Sequence, residues 1–157
     1  MAKGKRKAAS GDVATNRQAR FRYELLERLE AGIVLRGTEV KALRTGGAQM
    51  RDSYATLTDG ELWLHNLHIP HYAPAARENH DPDRSRKLLL HRREIERLMG
   101  RVRERGLTVV PTRVYFSNGN AKVELALARG KDVHDKRESI REREQKREME
   151  RALGRRR

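Results

Sequence analysis

Three histidines spaced three apart, His65, His68 and His71, are followed by His80-Asp81, residue types that could hold a zinc ion. Zinc asks for three or four ligands converging at fixed distances. His65 and His68, however, fall in a predicted strand and its exit, where a spacing of three turns side chains to opposite faces. Scattered surface histidines, or histidines that touch RNA, suit the pattern better, so no metal or cofactor is expected. Other reactive chemistry finds less to work with. Cysteine is absent, which excludes a disulfide framework and thiolate chemistry. RTGGAQM and EAGIVLRGTE lack the Lys and Ser/Thr of a phosphate-cradling loop. Ser10, Ser53, Ser85, Ser117 and Ser139 sit in no nucleophile-elbow context. The carboxylates interleave with arginine, which suits ion pairing better than general acid–base work. No catalytic constellation can be named, and the expectation is a protein that is not an enzyme.

What remains is binding chemistry. Lys and Arg number 36 against 22 acidic residues in 157, a formal net charge of +14, and an excess this large favours polyanion partners. The excess is concentrated at the ends. Residues 1–20 hold six basic residues against one acidic, and residues 131–157 hold eleven against seven. Basic ends of this kind are commonly arms that order on a polyanion. Tyr23, Tyr54, Tyr72 and Trp63 could stack on bases, with core packing as the other reading of each. Asn16, Arg17 and Arg20, where the arm meets the first predicted strand, could reach a phosphate or a base edge. Composition alone also admits a ribosomal protein, a general RNA chaperone or a metal-dependent RNA hydrolase. The first residues lack the apolar run of a leader, and no stretch is long and apolar enough to span a bilayer. A cytoplasmic protein with no membrane partner is the expectation.

The elements that must position these residues read as follows. Residues 1–15 show no periodicity and are expected to be a disordered basic arm. FRYELLERLEAGIVL alternates apolar and charged residues and predicts a long strand with a bend or bulge at Gly32. GTEVKALRTGG predicts a two-turn helix with Thr38 as N-cap and Gly46-Gly47 as its stop. Strands around Asp52–Thr58 and Glu61–Leu67 flank Asp59-Gly60, and Thr108–Phe116 and Lys122–Ala128 flank Asn118-Gly119. Both pairs are hairpin signals. HRREIERLMGRVRERG places Ile95, Leu98, Met99 and Val102 on one helical face and ends at Gly106. Ile69–Lys87 reads as a long functional or disordered linker. Five or six antiparallel strands with inserted helices predict a mainly β fold, a small oligonucleotide-binding (OB) type barrel over residues 16–130. Residues 131–157 form a tail whose only apolar groups are Val133, Ile140, Met149, Ala152 and Leu153.

Three blocks carry a resemblance. They are NRQARFRYELLERLEAGIVLRGTEVKALRTGGAQMRDSYATL from Asn16, NHDPDRSRKLLLHRREIERLMGRV from Asn79, and ALARGKDVHDKRESIREREQKREMERAL from Ala126. Together they resemble the SmpB family, the protein partners of transfer-messenger RNA in bacterial ribosome rescue. The resemblance implies an OB-type barrel with packed helices that binds the tRNA-like domain of that RNA at its elbow. It implies indirect links to elongation factor Tu and alanyl-tRNA synthetase through the RNA. It also implies a tail that enters the vacant decoding site and messenger channel of a stalled ribosome, after which the stalled peptide is tagged for degradation.

By position, the resemblance assigns Asn16, Glu30 and Leu90 to the RNA-binding surface. Arg17, Arg20, Lys41, Arg84, Lys87 and Lys122 are the expected phosphate contacts around them. A carboxylate at a phosphate surface would repel it, so Glu30 is expected to orient a basic neighbour or accept from a base or sugar; a strand-end ion pair is the alternative. In the tail, Asp135-Lys136-Arg137 matches the family's accommodation motif and His134 a position against the decoding centre. Lys131, Arg141, Arg143, Lys146 and Arg147 are the expected channel contacts. Asp132 departs from the basic or neutral residue expected there. Glu138–Arg141, Glu142–Lys146, Glu144–Arg147 and Glu148–Arg151 are spaced to pair on a helix, each worth only about 0.2–0.5 kcal/mol. The tail is therefore expected to be disordered when free and helical when RNA surrounds it.

Overall fold

Val123, Leu125 and Leu127 alternate with more polar neighbours, so one face of the last strand turns inward and is fully buried. Repeating that alternation around the molecule gives the fold. The computed structural model describes residues 11–131 and 133–155, and within them not the side chains of 104, 105, 133–136, 139 and 155. In chain order the elements are β1 (Asp12–Thr15), α1 (Ala19–Arg22), β2 (Tyr23–Ile33), α2 (Gly37–Gly46), β3 (Tyr54–Thr58) and β4 (Glu61–His65). A 3-10 turn (Ala73–Glu78), β5 (Arg86–Leu89), α3 (Arg92–Arg105), β6 (Thr108–Ser117), β7 (Asn120–Gly130) and α4 (Val133–Arg155) follow. The sheet runs β6-β3-β4-β5-β2-β7 and closes by β7 pairing back to β6, every pair antiparallel, with β1 added to the free edge of β6. Closure leaves no long open edge. Leu62, Leu64, Leu88, Val114, Leu125 and Leu127 fill the interior, with Leu43 from α2 and Leu98 from α3 packed into the same core.

The two hairpins form as their turn residues require. Asp59 and Gly60 have φ of 51° and 74°, and Asn118 and Gly119 have 51° and 78°, the two positive values of a type I′ turn. Gly106 ends α3 in the left-handed region at φ 61°. The N-cap of α2 is Arg36 rather than Thr38. Glu39 Oε1 accepts the Arg36 backbone N–H at 2.9 Å, while Thr38 Oγ1 is drawn to His80 Nδ1 at 3.0 Å.

Three further expectations change. Residues 12–15 are not arm but strand, since β1 pairs with β6 from Asp12 to Thr15; the rest of the expected arm, residues 1–10, lies outside the described residues. The bulge of β2 falls at Leu26, between Leu25 and Glu27, not at Gly32. The segment 69–87 is ordered. Asn79 bridges the backbone of Tyr72 with two 2.8 Å hydrogen bonds, and His80 is buried between Thr38 and the Ile69 carbonyl. The tail is helical from Val133 to Arg155, and Ile140, Met149 and Leu153 stay exposed along it. Glu142, Glu144 and Glu148 do not close their pairs with Lys146, Arg147 and Arg151 in that helix.

Gly32 instead marks a joint. There β2 pairs with Lys122 of β7 on one side and Leu89 of β5 on the other. A Cβ on Gly32 would lie 3.3 Å from Leu89 Cβ, so a side chain larger than alanine must push β5 away. Gly32→Val is expected to destabilise the barrel by about 1–3 kcal/mol, read as a lowered denaturation midpoint, with Gly32→Ala costing clearly less.

Candidate nucleic-acid interface

The outward faces of β2, β7 and β6 are set by the same alternation that fills the core. Register places Glu30 opposite Glu124, Glu124 opposite Arg113, and Lys122 opposite Tyr115. Asn16 continues the row past β1: its backbone N–H donates to Thr112 O at 2.7 Å and its Nδ2 to Pro111 O at 2.9 Å. At one end of this surface Ala19 of α1 packs on Val110, Ala126 and Ala128, which carries the exposed Arg17 and Arg20 to its margin. At the other end stands Leu89, 52% exposed. Asn16, Arg17, Arg20, Glu30 and Lys122 thus share one side of the barrel, with Leu90 half-buried against the core beside it.

Glu30 has a partner that sequence reasoning missed. Its Oε2 accepts the Tyr115 phenol proton. Arg113 lies 4.3 Å over the Tyr115 ring and is held by Asp12 Oδ1 at 2.7 Å and Glu124 Oε2 at 2.8 Å. Burial, and then the hydrogen bond to Glu30, push the Tyr115 phenol up to about 12. The phenol therefore stays protonated as a fixed donor at any physiological pH. Burial acts to raise Glu124, but hydrogen bonds from Arg113 and Thr112 outweigh it and hold the carboxyl below its usual range. With Arg28 3.6 Å from Glu124, the face carries Arg28, Arg113 and Lys122 interleaved with carboxylates. A period-two reading of β6 that marked Arg113 and Tyr115 as outward beside Lys122 could have found it.

The remaining expected contacts scatter. Lys41 on α2 is exposed, 5.7 Å over the Tyr72 ring. Lys87 pairs with Glu61 at 2.9 Å. Arg84 turns inward: its Nε donates to Glu39 at 2.9 Å and its Nη2 to Val34 O at 3.3 Å, leaving its side chain only 23% exposed. Beside it Arg86 is wholly buried, donating to Glu39, Leu67 O and Pro82 O. Arg86 does not reach the surface. The histidines separate in the same way. His65 sits between Thr56 at 2.7 Å and Ser85 at 2.8 Å, His68 meets Asp83 at 2.8 Å, and His71 packs edge-on against His80. Among the described residues no three such groups converge on a metal position.

The tail leaves the barrel at Gly130 and touches it lightly. Lys131 donates its backbone N–H to Arg22 O at 3.0 Å and its Nζ to Arg20 O at 2.9 Å, and Arg143 lies 4.9 Å over the Phe21 ring. Arg137, Arg141, Lys146 and Arg147 are exposed along α4. His134, Asp135 and Lys136 lie in its first turn, their side chains outside the described residues, as is Asp132. Among the described residues no helix is long and apolar enough to cross a membrane.

Comparison with known proteins is extensive. A family model described as SmpB protein matches residues 13–155. An SsrA-binding protein of Acidothermus cellulolyticus is 58% identical over 144 residues, covering 92% of this chain and 91% of that protein. One from Mycolicibacterium paratuberculosis is 52% identical over 164 residues, covering 99% and 97%. One from Sulfurihydrogenibium is 56% identical over 141 residues, covering 90% and 93%. A solved structure described as "tmRNA-SmpB: a journey to the center of the bacterial ribosome" matches with a TM-score of 0.66 at 51% identity. It covers 82% of this chain and 94% of that one.

Proposed function

The chain belongs to the SmpB family, and from that premise we propose that it is the RNA-binding adaptor of trans-translation. It binds the tRNA-like domain of transfer-messenger RNA, brings it to stalled ribosomes and inserts its tail into the vacant decoding site and messenger channel. The stalled peptide is then tagged and the ribosome freed. The observation that carries this reading is the division of the molecule into two surfaces. One is an outward barrel face built from Asn16, Glu30 and Lys122 with α1 at its margin; the other is a 23-residue basic helix whose described large apolar side chains, Ile140, Met149 and Leu153, stay exposed.

The barrel face meets the RNA. Arg17, Arg20, Lys41, Lys87 and Lys122 supply the salt-dependent phosphate attraction, Asn16 and Glu30 the polar contacts, and Leu90 the packing that shapes the surface. Arg84 acts there chiefly by holding Glu39 and the backbone of Val34. The tail meets the ribosome through Lys131, His134, Asp135, Lys136, Arg137, Arg141, Arg143, Lys146 and Arg147. With no core and only weak same-helix pairing, α4 exchanges with coil when free and is fixed as helix between RNA walls. The protein acts in the cytoplasm, without catalysis of its own and without a cofactor. Elongation factor Tu and alanyl-tRNA synthetase are reached through the bound RNA.

The test is binding of the whole chain to transfer-messenger RNA against other folded RNAs, measured across a salt series. Tight, selective binding is the expected result; equal binding to all would favour a general RNA chaperone. Lys122→Ala should weaken binding and lower the slope of log affinity against log salt by about 1.

A further inference from the structure

We propose that the cleft between α1, the start of β2 and the residues entering β3 is a pocket for one unpaired RNA base bearing an exocyclic amino group, read by Gln18. This deepens the RNA-binding reading above and rests on it. The cleft has a volume of about 160 Å³ and is lined by Asn16, Gln18, Arg22, Tyr23, Asp52 and Tyr54, among others. That is below the range of pockets for drug-sized ligands and leaves room for a single planar group.

Gln18 supplies the first reason. Its Oε1 is buried without a hydrogen-bond partner among the described residues. A buried acceptor left unmatched costs free energy that a ligand recovers by donating to it. The backbone carbonyl of Gln18 meanwhile accepts from the N–H groups of Phe21 and Arg22, at 3.1 and 2.9 Å, which fixes the point from which its side chain departs.

The rest of the lining selects the donor. Asn16 uses its Nδ2 on Pro111 O, which leaves its side-chain oxygen as an acceptor. Ser53 donates its hydroxyl proton to Met50 O at 2.6 Å. Arg22, the cation at the mouth, is paired with Asp52 at 2.9 Å. The unmatched Gln18 oxygen asks for a donor, which a phosphate, carrying only acceptor oxygens, does not supply. Tyr54, 43% exposed and stacked on His65 with ring centroids 5.0 Å apart, presents a held aromatic wall, with Tyr23 as its neighbour across the lining. A flat ligand that donates N–H and stacks on tyrosine is a nucleobase; adenine, cytosine and guanine present an exocyclic amino donor at the edge of the ring, where uracil has only its imino N–H between two carbonyls. Asn16 links the cleft to the outer barrel face, so a base turned out of the bound RNA reaches it without a second docking event.

The experiment has two arms on the full-length chain. In the first, AMP, GMP, CMP and UMP are titrated while the Gln18 side-chain amide and the Tyr23 and Tyr54 ring resonances are followed by NMR. The three amino-bearing nucleotides should shift these signals at lower concentration than UMP. In the second, Gln18→Met, which keeps the length of the side chain but removes the acceptor, should bind the tRNA-like RNA about tenfold more weakly at an unchanged melting temperature. If Q18M melts earlier, the titration of the unaltered chain decides. Equal or absent shifts for all four nucleotides, with Q18M binding as tightly as the parent, would mean that the cleft holds only water and would overturn the proposal. In that outcome the parent chain still binds the RNA, so the functional reading stands; a parent that does not bind the RNA removes both.

Discussion

Replacing Asp135, Lys136 and Arg137 together by alanine is expected to abolish peptide tagging while leaving affinity for transfer-messenger RNA within about twofold. The motif lies in the first turn of α4, beyond the last barrel strand. Charge supports the separation. The triple change removes two basic residues and one acid from a chain of net charge +14, so the net charge falls by only one and the polyelectrolyte attraction of the barrel face to RNA is left in place. A loss of tagging would then report on the ribosome step. The counterpart is a change of Asn16, Glu30 or Leu90, which should weaken the RNA complex itself. Binding by gel shift and tagging in a reconstituted stalled-ribosome assay separate the two steps. Tail variants that lost RNA affinity as severely as barrel variants would end this division of labour.

A second large effect belongs to Glu39. Replacing it with alanine is expected to destabilise the barrel by about 3–5 kcal/mol, the cost of breaking a buried ion pair by removing one partner. Arg86 is wholly buried and Arg84 mostly so, and without Glu39 two cations would face each other with no carboxylate between them. Replacing Glu39 and Arg86 together by methionine should recover much of the loss, because the uncompensated charge goes as well. Denaturant midpoints of the three variants check both statements.

The same carboxylate gives stability a pH dependence. Burial acts to raise Glu39, but the Arg36 backbone N–H and the guanidinium groups of Arg84 and Arg86 outweigh it and lower the folded-state value below the ordinary 4.5. A lowered carboxylate contributes stability that is fully present above the unfolded value. That contribution is lost as pH falls below about 4.5 toward the folded value. The parent chain should therefore lose stability more steeply across that acid window than the double methionine variant.

Local chemistry made much of the barrel legible. Asn118-Gly119 and Asp59-Gly60 announce their turns because only a few residue types accept two successive positive φ values. Helix α3 announces itself through the spacing of Ile95, Leu98 and Val102 and the stop at Gly106. Strand β5 was hidden because Arg86 occupies an inward position, which a hydrophobic pattern reads as polar and therefore as loop. Strand β1 was hidden because four residues carry too little pattern without the β6 edge that pairs them. The bulge at Leu26 escaped for a related reason: the composition of Gly32 suggested a distortion, but its smallness serves a close strand approach.

The candidate site divides along the same line. The resemblance placed Asn16, Glu30 and Leu90, and the register brings Asn16 and Glu30 onto one outward face through residues that the sequence never marked. Tyr115 is paired with Glu30 across 85 residues of chain, a separation that no local pattern spans. Charge counting ranked Arg84 with Lys122 as an equal phosphate contact. The fold turned Arg84 toward Glu39, while Lys122 remains on the outer strand face.

The sequence by itself determined the family, the excess of positive charge, the turns and the core-poor tail, because each of these follows from residue type and short spacing. Tertiary structure alone decided which cations face outward and which satisfy a buried carboxylate. It also decided what holds Glu30 and where Gln18 is left with an unmatched oxygen. Those outcomes depend on strand register and barrel closure, which bring distant residues together and fix which polar groups lose water.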